Sequence, residues 1–100
     1  METVFKVNFC YVISPSLQVK LNADVELHHS EPHYLIRNIS HINGEGGNPV
    51  LPDISIKAIK NENGEITWVH TDSERETILS KIVGEAIERS VQVETSNYIN

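Results

Sequence analysis

Two period-two strings near the start of the chain constrain its fold more than any other feature. In "TVFKVNFCYVI" the residues Phe5, Val7, Phe9, Tyr11 and Ile13 recur at every second position. In "LQVKLNADVEL" the same holds for Leu17, Val19, Leu21, Ala23, Val25 and Leu27. Successive side chains of a strand point to opposite faces, so each string specifies a long strand with one apolar face. The link Ser14–Ser16 suits a tight connection between them. Pairing Ile13 with Leu17 sets Tyr11 opposite Val19, Phe9 opposite Leu21 and Phe5 opposite Val25, with every apolar residue on one side. The other side of the second strand reads Gln18, Lys20, Asn22, Asp24, Glu26 and belongs in water. A sheet covered on one face only is an antiparallel signature.

The rest of the chain extends that sheet. "HYLIRNI" reads as a third strand after Pro32, whose fixed φ fits a turn. Its phase is open, since either Tyr34 and Ile36 or Leu35 and Ile39 can face the core. "SHINGEGGNPVLP", residues 40–52, has no periodicity and is longer than most connections in compact domains. Its centre, Asn43, Gly44, Glu45, Gly46, Gly47 and Asn48, is a candidate interface or ligand loop. "DISIKAIK" and "EITWVH" flank "NENG", which suits a type I turn closed by a left-handed glycine. That turn pairs Asn61 with Glu65, Ala58 with Trp68 and Ile56 with His70.

A helix follows, with Ser73 expected as N-cap and Glu76 completing a capping box. Ile78, Leu79, Ile82, Val83, Ala86 and Ile87 form its apolar stripe, opposite Lys81, Glu85, Glu88 and Arg89. Gly84 in the middle of that helix points to close packing on the sheet. The expected architecture is α+β: a two-layer domain over residues 1–93, an antiparallel sheet of about five strands followed by one C-terminal helix packed on it. Residues 94–100 carry no pattern and read as a tail.

Composition narrows the function classes. A net charge of −6, with eight basic residues scattered among fourteen acids, excludes a phosphate-binding surface and hence nucleic acid. No apolar run approaches a membrane span. The single cysteine, Cys10, has no internal disulfide partner and reads as a small strand side chain, which favours a cytoplasmic setting.

Three histidines, His28, His29 and His33, lie within six positions and are the candidate metal ligands. Adjacent strand residues diverge, so His28 and His29 reach one ion only if the strand ends there; His33 across the turn can join either one, and Glu31 or the distant His41 and His70 would have to complete the shell. The glycine loop lacks the following helix that a phosphate cradle needs. Trp68 shares its face with Ile66 and Ala58 and reads as a core anchor. No cofactor is indicated. The leading expectation is a small non-catalytic binding or accessory protein, a homodimer or one with a protein partner, because one helix cannot cover strand residues such as Val4, Val12, Leu35 and Ile39 as well. The alternatives are a metal-dependent enzyme or metal-binding protein using the histidines, and a small-molecule binder with the 40–52 loop as lid.

Overall fold

Backbone pairing realises the two alternating strings as an antiparallel hairpin, β1 (Glu2–Ser14) and β2 (Leu17–His28). The computed structural model describes residues 2–42 and 50–96 of the chain. Phe5, Phe9 and Tyr11 face Val25, Leu21 and Val19, as the pattern requires. The turn differs from expectation: Leu17 pairs with Ser14 and not with Ile13, because a bulge after Val12 shifts the register before a two-residue turn at Pro15 and Ser16. Cys10 lies exposed on the open face of β1.

β3 (His33–His41), β4 (Ile54–Lys60) and β5 (Ile66–His70) continue the sheet in chain order, each antiparallel to its neighbour. The phase of β3 follows the first reading, with Tyr34 and Ile36 fully buried and Leu35 only half-buried, yet Ile39 is fully buried as well. A step of three is possible because Asn38 takes a left-handed φ of 55° and the register against β2 shifts between Asn22 and Asp24. Asparagine tolerates that conformation, and its side-chain amide donates to Asp24 Oδ2 at 2.8 Å. Ile39 therefore belongs to the core and not to an uncovered patch. At the β4–β5 turn the Asn61 side-chain oxygen accepts from the amides of Asn63 and Glu65, both at 2.9 Å, and Gly64 has φ 83°. The turn delivers Ala58 to Trp68 and Ile56 to His70 as read.

The helix α1 (Ile78–Ser90) begins later than Ser73. Residues 70–75 are taken up by a turn in which His70 N donates to Arg75 O and Glu74 N to His70 O, with Glu74 at φ 57°. The capping box is made instead by Thr77, whose hydroxyl accepts from Ser80 N, and by Ser80, whose hydroxyl accepts from Thr77 N. The late start leaves Ile78 68% exposed at the first helical position, so it drops out of the stripe. Val83, Ala86 and Ile87 are buried, and Leu79 and Ile82 are partly buried against them.

Gly84 is where helix and sheet come closest. A Cβ there would lie 2.0 Å from Trp68 Cγ, well inside van der Waals contact, so only glycine lets the helix seat on the indole. Trp68 is held from three sides: by Gly84, by Tyr34 edge-on at 5.3 Å, and by its Nε1–H donating to Glu88 Oε2 at 3.0 Å. The buried Ser80 hydroxyl donates to the Trp68 carbonyl at 2.9 Å and pins the start of the helix to β5. Because α1 touches both edge strands, β1 and β5, as well as β4, the sheet curls around it.

The two-layer α+β architecture is as expected, with one addition. Thr95–Ser96 form β6, parallel to β4 at Ala58 and Ile59. β3 pairs with β4 only from Ile54 to Ile56, and β6 takes up the vacated edge beyond. The domain thus runs past residue 93, and Glu94–Ser96 are part of it and not of a tail.

Candidate functional site

His28 ends β2 and His33 opens β3, and the antiparallel register sets them opposite one another across the turn. Their rings stack at 4.7 Å with an interplanar angle of 6°. Glu26, two positions before His28 and so on the same face, brings Oε1 to 2.7 Å from His28 Nε2. The Glu31 carbonyl accepts from His33 Nδ1 at 2.7 Å, which fixes the proton on that nitrogen.

His29 goes elsewhere. Its Nδ1 donates to Glu94 Oε2 at 2.6 Å and its Nε2 lies 2.9 Å from the Thr3 hydroxyl. Glu94 N in turn donates to the Tyr34 hydroxyl at 2.9 Å. Burial raises the Tyr34 pKa above its usual 10.0; the bond from the Glu94 amide opposes that shift, and the nearby Glu94 carboxylate adds to it. These four residues form a clasp between the two ends of the domain. The structure therefore joins His28 to His33 and separates both from His29. His41 is exposed at the end of β3, and His70 Nε2 bonds the Thr77 hydroxyl at 2.9 Å. Among the described residues no group of three histidine, cysteine or acidic side chains is placed to hold a metal ion. The candidate loop Asn43–Asn48 lies outside the described residues.

Beside the stacked rings is an open depression of about 550 Å³, lined in part by Ser30, His33, Ser55, Lys57 and Thr71. The Lys57 side chain is only 15% exposed and lies 3.9 Å from the Glu74 carboxylate. Among the described residues no hydrogen bond joins a hydroxyl of this depression to His33.

A second groove, of about 470 Å³, runs along β1. It is lined by residues from both faces of that strand, Asn8, Phe9 and Cys10 among them, and by Ile82, Glu85 and Arg89 of α1. Lys20 of β2 and Ile42 also line it, and on its other side β1 has no strand partner among the described residues. Val4, 65% exposed, and Val12, 46% exposed, stand on the open face of the same strand. The exposure of these valines was legible in the alternation; the clasp was not, because it joins positions 26, 60 and 65 residues apart.

Fold and surface together define a class: a small α+β domain whose antiparallel sheet curls round one helix and ends in a long edge that is unpaired among the described residues. No family model, no curated protein and no solved structure matches the chain. Among the described residues no helix is long and apolar enough to cross a membrane.

Proposed function

We propose that this chain is a small non-catalytic binding protein that self-associates through its open sheet. The observation that carries the reading is the exposure of Val4 and Val12 on β1, an edge strand of thirteen residues with no strand partner on its outer side among the described residues. A long edge presents a row of backbone donors and acceptors, and natural proteins usually blunt such edges or pair them. Apolar side chains along it favour pairing with protein over solvation. The metal-dependent alternative finds two stacked imidazoles, with the third candidate ligand already bonded to Glu94 and Thr3. Sedimentation velocity on the intact chain at micromolar concentration tests the proposal: twice the monomer mass is expected, and a strict monomer would remove it.

A further inference from the structure

β1 is nearly palindromic in pattern about Asn8. Reading outward, Val7 and Phe9 flank it, then Lys6 and Cys10, then Phe5 and Tyr11, then Val4 and Val12. Burial follows the same symmetry. Val7 and Phe9 are 2% and 4% exposed beneath the helix, Phe5 and Tyr11 are half-buried, and Val4 and Val12 are exposed. We infer that the outer edge of β1 pairs antiparallel with β1 of a second copy about a two-fold axis through Asn8, an inference that rests on the self-association proposed above.

A two-fold perpendicular to the sheet keeps each face on its own side, so only residues of like parity are opposed. Centred on Asn8, the pairing sets Val4 against Val12 on the open face and Phe5 against Tyr11 on the inner face. Val4, Phe5, Tyr11 and Val12, exposed or half-buried in one copy, thereby each meet an apolar partner. Lys6 meets Cys10 and not a second cation, and Lys6 is already drawn towards Asp24 at 3.5 Å. Moving the axis one residue to Val7 or Phe9 would set Val4 against Cys10 or Ser14 and lose the valine pair. The bulge lies beyond Val12 and no proline interrupts Glu2–Ser14, so the paired stretch is a regular strand. Glu85 and Arg89 line one groove with Asn8 and so bring both signs of charge near the axis, which suits a self-complementary contact.

The test uses the full chain in a Cys10→Ser background under mild oxidation. Residues directly opposed across an antiparallel pair have Cβ atoms about 4.5–5.5 Å apart, within reach of a disulfide after small adjustment. Asn8→Cys is expected to form a covalent dimer at least about tenfold faster than Val4→Cys, because equivalent Val4 positions would lie about 27 Å apart while equivalent Asn8 positions face each other. The double variant Val4→Cys/Val12→Cys is expected to regain the fast reaction. A dimer by sedimentation whose Asn8→Cys form cross-links no faster than Val4→Cys would overturn the Asn8-centred pairing while leaving self-association standing. A monomer by sedimentation would overturn both.

Discussion

The sheet has two edges, and they are finished in different ways. β5 is five residues long, bounded by the Asn61–Glu65 turn on one side and the 70–75 turn on the other. Its central Trp68 is locked under Gly84, and its backbone is tied to Ser80. β1 is thirteen residues long, carries valines on its open face, and is flanked by a groove. Short, turn-bounded edges give a stranger few ladder positions to pair with, whereas long regular ones invite it. One edge is closed by packing within the chain, and the other has no strand partner among the described residues.

The most damaging way to break that contrast is to unseat the helix from both edges at once. Ile87 is fully buried in the core cluster, and Ile87→Ala is expected to cost about 2–5 kcal/mol in chemical denaturation. A near-neutral result would mean that α1 does not seal the inner face. Next comes the β5 side alone. Gly84→Ala is expected to cost about 1–3 kcal/mol and to shift Trp68 fluorescence, since the new methyl group has to displace the indole. Unchanged emission together with unchanged stability would show that the glycine is not there for close approach.

Third in size is Tyr34→Phe, which leaves the Glu94 amide without its acceptor and is expected to cost about 1 kcal/mol. The same substitution has a pH signature. A phenol whose pKa is raised by folding contributes stability that is fully present below its unfolded value of 10.0 and is lost as pH rises through the higher folded value. Stability of the native sequence is therefore expected to fall above pH 10.0 more steeply than that of Tyr34→Phe, and parallel alkaline profiles would contradict the assignment. The smallest folding effect is expected at the open edge. Val4→Lys should change stability by no more than about 0.5 kcal/mol while weakening self-association, and a large loss of stability there would show that Val4 packs within the monomer.

Local chemistry was readable from the sequence wherever a single element settled the matter. Alternation gave the core pairs of the β1–β2 hairpin, and Asn61 with Gly64 gave the β4–β5 register, because in both cases side-chain period or turn geometry decides the outcome unaided. Gly84 was readable for the same reason: a costly residue in mid-helix implies a neighbour that needs the space. The phase of β3 was not, because the bulge at Asn38 lets Ile36 and Ile39 share a face that strict alternation denies them. The helix start was misplaced because two Ser/Thr-based boxes compete within eight residues, and the turn that leads out of β5 consumes the first. The histidines looked like one cluster because they are close in sequence, yet His29 answers to Thr3 and Glu94, partners that no local pattern announces.

The clasp also differs from the hairpins in how much chain it spans. The β1–β2 and β4–β5 hairpins join residues near one another in the chain and close early, since short loops cost little entropy. His29 cannot meet Glu94, nor Ala58 meet Thr95, until the last strand has been made and the helix laid down. In the folded domain residues 94–96 stitch the part of β4 that β3 leaves unpaired, through contacts between positions far apart in the chain. The same stitch is the natural first thread to loosen. Amides of Glu94 and Thr95 are expected to exchange with solvent through openings far shallower than global unfolding, while those of Val25 and Ile36 exchange only when the whole domain comes apart.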